Sequence, residues 1–406
     1  MNENKKKRML VIGITMNSAG TEKSFLSFAN CLDYDRYEVD LLLAKKEGDF
    51  LPLIPEKIRI LEMEKYGEMF LLSAKNAAGT IWKCFGREKP WILFEVLPYF
   101  LKIVFCPKKR SFTATRMWCR LMRYMPEVGG EYDVAVAYWG DRTMFYMAEK
   151  VKAAKKIAWL HFDYSHPPRD DELYLKFFLQ CDKIVTVSQK VDEALREKLP
   201  QIADRTVVIE NIQDSRLIWK MALTGDSFPD PAYEGKRILT IGRISDQKGF
   251  DMIPPVLRRL RDDGYELRWY IVGGGEESDR ARLIEKALAC GVADMLILLG
   301  TTVNPYGYMR DCDLYVMTSR YEGKPITVEE AKIMFRPILV TNYLSAAEQL
   351  ADGKYGDICE ISEEGIYQGL KRLLDDPERC DAFTETLSKA RFSNTEEIEK
   401  FYRLVE

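Results

Sequence analysis

Short apolar runs alternate along this chain with longer stretches of helical periodicity. Runs at 9–15 (MLVIGIT), 37–44 (YEVDLLLA), 132–138, 155–161, 182–188 and 206–211 read as strands. Amphipathic stretches such as 22–31, and the one through Glu193 and Leu195, separate them. A connector at 212–235 is punctuated by Gly225, Pro229, Pro231 and Gly235. The alternation then resumes, with candidate strands at 237–242, 267–273, 296–300, 313–319 and 337–342. A last stretch, 393–404, sets Ile398, Phe401 and Leu404 on one helical face. Strand–helix alternation of this kind predicts parallel, doubly wound sheets. The expected organisation is α/β, with domains at 1–211 and 212–385 and a terminal helix within 386–406.

Composition narrows the function without naming it. The 406 residues suit two domains. Residues 1–210 carry 34 Lys and Arg against 29 Asp and Glu, and the remainder 26 against 34. So mild an asymmetry argues against nucleic acid, which calls for a strong basic stripe. Nine scattered cysteines, with no C-x-x-C pair, read as free thiols in a reducing compartment, and two histidines are too few for a His/Cys zinc cluster. The basic run at 5–8 is followed by too short an apolar stretch for a secretory signal. The most apolar later stretch, 91–105, is interrupted by Glu95, Pro98 and Lys102 and is too broken to span a bilayer. The expectation is a cytoplasmic protein.

Candidate chemistry gathers where strands give way to helices. In SRYEGKPITVEEAK (319–332) a loop leads into a helix, and Thr327 and Glu330 match a capping box with Thr327 as N-cap. A helix N-terminus at the C-terminal end of a parallel strand is an anion site, suited to a diphosphate. Glu322 and Glu330 flank it, where ligand hydroxyls would satisfy them. In IGRISDQKGF (241–250), Arg243 and Lys248 stand on a strand-to-helix loop and can neutralise a diphosphate. In MNSAGTEKS (16–24), Gly20 lets backbone approach a ligand closely. The VGGG turn containing Gly273 lacks the dinucleotide fingerprint, and no Walker loop occurs. His161, in WLHFDYSHPP, falls at the ligand end of a strand. Asp311 and Asp313 form a D-x-D where a helix meets a strand and are read as structural. No metal site is expected.

These motifs in this order resemble glycosyltransferase family 4, retaining enzymes of the GT-B fold found in bacterial surface-polysaccharide synthesis. The resemblance is strongest over 237–375 and weaker in the first half. It implies two Rossmann-like domains facing a central cleft, with the terminal helix crossing back to the first domain. It implies that Arg243 and Lys248 hold the diphosphate, that Glu330 binds ribose, and that Glu322 and His161 lie near the transferred sugar. Backbone at Gly323, Lys324, Pro325 and Ile326, with Gly20 and Gly273, would line the donor. The donor would be a nucleotide sugar, commonly of uridine diphosphate, used without metal and with retention. The acceptor would be a glycan or lipid-linked sugar. One departure is EGKP in place of the family's EGFG, since Pro325 has no N–H to offer.

Between Glu95 and Glu127 the chain carries Lys102, Lys108, Lys109, Arg110, Arg116, Arg120 and Arg123 and no acidic residue. Interleaved with Phe105, Phe112, Trp118, Leu121 and Met122, the segment 102–123 reads as a contact for an anionic membrane surface. Rival readings are a UDP-sugar 2-epimerase and a non-catalytic sugar-nucleotide-binding partner of a polysaccharide assembly complex.

Overall fold

A computed structural model describes residues 6–17, 19–73, 76–106 and 109–406. Lys5 and Lys108, parts of the two basic runs, lie outside the described residues. The first sheet contains β1 (Lys7–Gly13), β2 (Tyr37–Leu43), β3 (Ile58–Glu62), β4 (Tyr132–Ala137), β5 (Ala153–Leu160), β6 (Lys183–Thr186) and β7 (Thr206–Val208). Their spatial order is β3-β2-β1-β4-β5-β6-β7. The second contains β8 (Lys236–Ile241), β9 (Leu267–Val272), β10 (Leu296–Gly300), β11 (Leu314–Met317), β12 (Ile338–Thr341) and β13 (Asp357–Cys359), ordered β10-β9-β8-β11-β12-β13. Neighbouring strands in both sheets are parallel.

Helices cover both faces of each sheet, which is why the strands read as continuous apolar runs. In β1, Leu10 and Ile12 enter one core and Met9 and Val11 the other. In β8, Ile238 and Leu239 divide in the same way. Two strands escaped the sequence reading. β3 and β13 are short edge strands whose burial is incomplete, so their apolar signal is weak. The connector at 212–235 also holds a helix, Ser215–Ala222, capped by the Asp214 carboxylate.

The strand order reverses at β1/β4 in the first sheet and at β8/β11 in the second. Such switch points open a crevice at the carboxyl ends of the strands, where α/β proteins bind ligands. The loops after β1, β8 and β11 are those carrying Gly20, Arg243 and Glu322. The last helix, Ile398–Val405, packs on the first domain. Phe401 meets Phe28 edge-on at 4.9 Å between ring centroids, and Tyr402 stacks on Tyr37 at 5.8 Å.

Candidate active site

The helix Ile326–Ile333 starts two residues earlier than the capping box, with Thr327 as N-cap, implied. Pro325 is its N-cap, in extended conformation, and no side chain caps it. Thr327 sits inside the first turn, where its Oγ1 accepts a hydrogen bond from Tyr315 at 2.6 Å. Glu330 does not reach back along the helix, because Lys23 and Tyr306 hold it elsewhere. The capping-box reading is therefore corrected. The Ile326 and Thr327 N–H groups find no partner among the described residues, while that of Val328 donates to the Pro325 oxygen at 3.3 Å, and the two free donors suit an anion.

The loop before this helix is fixed through its carbonyls. Ser345 donates to the Gly323 oxygen (2.6 Å), Gln349 to that of Pro325 (2.9 Å), and Asn211, from the first domain, to that of Lys324 (3.4 Å). With the carbonyls tied back, the N–H groups of Gly323, Ile326 and Thr327 find no partner among the described residues. The Lys324 ammonium does not stand free in the cleft. It pairs with Glu210 at 2.7 Å and lines a separate polar cavity of about 360 Å³ with Glu329 and Lys332. Burial pulls its pKa down, but Glu329 and Glu210 more than offset this and leave it raised.

Lys248 reaches Glu322 at 2.6 Å, and Ser319 donates to the same Glu322 oxygen at 2.7 Å. Gly249 makes this approach possible. Its φ is +66°, and a Cβ there would lie 2.3 Å from the Thr318 oxygen. Arg243 is exposed and makes no salt bridge among the described residues. Gly273 (φ +148°) lies against the same loop, where a Cβ would meet the Gly242 oxygen at 2.0 Å. The VGGG turn thus supports the backbone that presents Arg243, and Ile244 donates to Gly274 at 2.7 Å.

The first domain forms the opposite wall. Its helix Gly20–Cys31 begins without a side-chain cap, and a Cβ on Gly20 would meet nothing within 4 Å. Lys23, three residues on, crosses to Glu330 at 2.6 Å and lies over the Tyr306 ring at 4.2 Å. Tyr306 donates to the same Glu330 oxygen at 2.9 Å, while Glu330 Oε2 is buried without a partner. Ser24 links Tyr138 and Asn211 at 2.7 Å each. Glu22 is buried beside Trp139, and that burial raises its pKa although Arg243 lies near. Lys23, Ser24 and Glu22 were missed in the sequence. Their spacing within TEKS says only that they share a first helical turn.

His161 follows β5 and faces Gly323 across the cleft. A Cβ on Gly323 would lie 2.7 Å from the His161 carbonyl oxygen. Both His161 ring nitrogens are buried without a hydrogen-bond partner. Burial pushes the ring's pKa down to about 3, against a smaller upward pull from Asn211. The ring is neutral at physiological pH and able to donate one hydrogen bond and accept another. His166 stands apart from these residues, paired with Asp163 at 3.0 Å and stacked against Tyr321. Asp313 accepts from Lys236 and from the Arg237 N–H at the far end of β8, and Asp311 pairs with Arg310. The D-x-D carboxylates are thus engaged away from the cleft.

Comparisons with known proteins bear on the fold and on the class of the protein. Residues 228–389 match the family model for Glycosyl transferases group 1. An uncharacterised glycosyltransferase of Haemophilus influenzae is 25% identical over 368 residues, covering 89% of this chain and 88% of that one. A Campylobacter jejuni N-acetylgalactosamine-N,N'-diacetylbacillosaminyl-diphospho-undecaprenol 4-alpha-N-acetylgalactosaminyltransferase is 30% identical over 156 residues, 38% of this chain and 41% of that. Among solved structures, Anabaena HepE in complex with UDP and glucose superposes with a TM-score of 0.70 at 15% identity, covering 98% of both chains. The fold is GT-B, and fold and sequence comparisons together support a glycosyltransferase. Within the chain, the second domain carries the group 1 match.

Proposed function

We propose that this protein moves a sugar from a nucleoside-diphosphate sugar, with uridine as the base, to a glycan or lipid-linked acceptor in polysaccharide synthesis. The observation that carries this reading is a set of orphaned polar atoms on both walls of one cleft. Glu330 Oε2 on one side and the two His161 ring nitrogens on the other are buried with nothing to bond. Leaving such groups unsatisfied costs about 1–3 kcal/mol each, and a polyhydroxyl ligand would relieve it. Ribose hydroxyls suit Glu330, and hexose hydroxyls suit His161 and Glu322. The diphosphate suits Arg243, Lys248 and the uncapped helix start at Ile326. Support also comes from HepE, solved with UDP and glucose, and from the Campylobacter enzyme, whose name specifies an undecaprenol-linked acceptor.

In the reaction the bond from the anomeric carbon to the β-phosphate oxygen breaks, and the acceptor oxygen bonds to the same face of that carbon. The acceptor's proton passes to the departing phosphate. Charge develops on the diphosphate, where Arg243, Lys248 and the free N–H groups stabilise it without rearranging. We assign retention of configuration and independence from metal to this step. The basic segment 102–123 is read as facing an anionic membrane that would hold the acceptor.

The test is thermal shift with UDP, GDP and ADP sugars, with and without EDTA, on the wild type and Lys248→Ala. A ligand at 100 times its Kd stabilises the folded state by about 2.7 kcal/mol. A shift with one nucleotide, indifferent to EDTA and lost in Lys248→Ala, is expected. No shift with any nucleotide sugar overturns the donor assignment.

A further inference from the structure

The helix Ile92–Phe105 is apolar on both faces. Ile92 and Val96 are buried, and Tyr99, Phe100 and Ile103 pack against the first-domain core. The opposite face carries Leu93, Phe94, Leu97, Leu101, Val104 and Phe105, all exposed, with Phe94 at 78% and Phe105 at 75%. At 3.6 residues per turn, positions 93, 97, 101 and 104 form one stripe, with 94 and 105 beside it. Trp82 and Trp91, both exposed, precede the helix. A helix that is apolar all round is normally covered on all sides. A continuous exposed patch of this kind marks an interaction site.

We propose that this outward face is a membrane anchor that lies in the interfacial plane of an anionic bilayer. The inference rests on the membrane reading above and changes which residues act. Within 102–123, Trp118, Leu121 and Met122 are fully buried in the core, so they are unavailable to lipid. The apolar contact comes instead from the helix upstream. Length supports an in-plane placement. Fourteen residues span about 21 Å, short of the ~30 Å hydrocarbon thickness. Among the described residues no helix is long and apolar enough to cross a membrane.

Charge selects lipid headgroups over a second protein surface. The rim of the patch is basic. Arg87, Lys102, Lys109 and Arg123 are exposed and make no ion pair among the described residues. Glu95, on the same helix, is already paired with Arg120 at 2.7 Å. A groove of about 500 Å³ opens between Tyr99 and the next helix, Arg110–Met122, where Glu149 and Glu172 also line it. Arg116 is paired with Asp170 and Glu172, and Lys176 with Glu149, so Arg123 is the cation there that makes no ion pair among the described residues. The groove's mixed charge leaves the headgroup contact to the unpaired cations Arg87, Lys102, Lys109 and Arg123. Apolar insertion together with a basic fringe is the combination that holds peripheral proteins on anionic membranes.

The experiment is co-sedimentation of the full chain with phosphatidylcholine vesicles containing or lacking phosphatidylglycerol, at low salt and near 1 M salt. Three proteins are compared: wild type, Leu97→Glu/Leu101→Glu, and Lys109→Glu/Arg110→Glu. Unchanged melting temperatures and circular dichroism establish that the variants are folded. The wild type is expected to bind phosphatidylglycerol vesicles and to stay partly bound at 1 M salt, where charges are screened beyond ~3 Å. The Leu97/Leu101 variant is expected to lose at least tenfold in binding at either salt, with its basic residues intact. If that variant binds like the wild type and salt releases both, insertion by this helix is overturned while the electrostatic membrane reading stands. If the wild type binds no vesicle, both fall. Self-association without lipid, abolished by the Leu97/Leu101 change, would assign the face to a second copy and overturn the proposal.

Discussion

Lys23 in the first domain and Glu330 in the second are joined across the cleft by a 2.6 Å ion pair, with Tyr306 donating to the same carboxylate. Glu330 is fully buried, so the pair both closes the cleft and keeps a charge from being stranded. Removing one partner of a buried pair costs about 3–5 kcal/mol, because the other is left uncompensated. Lys23→Met is therefore expected to lower the melting temperature markedly. Lys23→Met/Glu330→Gln should recover most of the loss, since no unpaired charge remains. Additive losses in that double variant would show that the two residues are not coupled.

The cleft-facing glycines separate packing from ligand space. Gly323→Ala places a methyl 2.7 Å from the His161 oxygen and 3.0 Å from Phe162 Cα, both backbone atoms. It is expected to push the domains apart, enlarging the radius of gyration in small-angle scattering and abolishing turnover. Gly20→Ala meets no atom within 4 Å, so its melting temperature should stay unchanged. Donor affinity should nonetheless fall about tenfold, or ~1.4 kcal/mol, if the donor backbone passes there. An affinity equal to wild type would remove Gly20 from the site.

His161 makes stability depend on pH in a definable window. Its folded-state pKa of about 3 lies below the ~6.5 of an unfolded chain. Between those values the unfolded state holds a proton that the folded state does not. The contribution is complete above pH ~6.5 and is lost as pH falls toward about 3. At pH 5 the loss is about 2 kcal/mol. Urea melts between pH 5 and 7.5 should show a steeper decline for the wild type than for His161→Gln. Parallel slopes would mean that the ring is more solvated than its surroundings indicate.

The terminal helix is tested by Phe401→Ala. Phe401 is fully buried between Phe28 and Trp159. Truncating such an aromatic costs about 3–5 kcal/mol. Two-transition calorimetry should place the loss in the first domain and leave nucleotide binding by the second intact. A loss confined to the second domain would contradict the packing described above.

Much of the candidate site was legible because its residues sit at the ends of strong apolar runs. Arg243, Lys248, Glu322 and Glu330 follow β8 and β11, whose burial on both faces makes them conspicuous. β3 and β13 were not legible, because charged residues at Arg59 and Glu62 break the apolar run of the one and the other is only three residues long. Thr327 was misassigned as a cap because S/T-x-x-E describes a local exchange of hydrogen bonds. Here Tyr315, Tyr306 and Lys23, distant in sequence, claim both partners.

The sequence by itself determined the two α/β units, the doubly wound order of alternation, and the strand ends where the candidate site residues lie. These follow from local periodicity and from backbone rules that act within a few residues. Tertiary structure alone decided which charges meet. Lys324 turns to Glu210, Lys23 reaches Glu330, and Lys248 is held on Glu322. It also decided which apolar residues remain uncovered: Trp118 is buried while Phe94 and Phe105 stand in solvent. Pairing and burial depend on distances between segments far apart in the chain, and a one-dimensional pattern does not contain those distances.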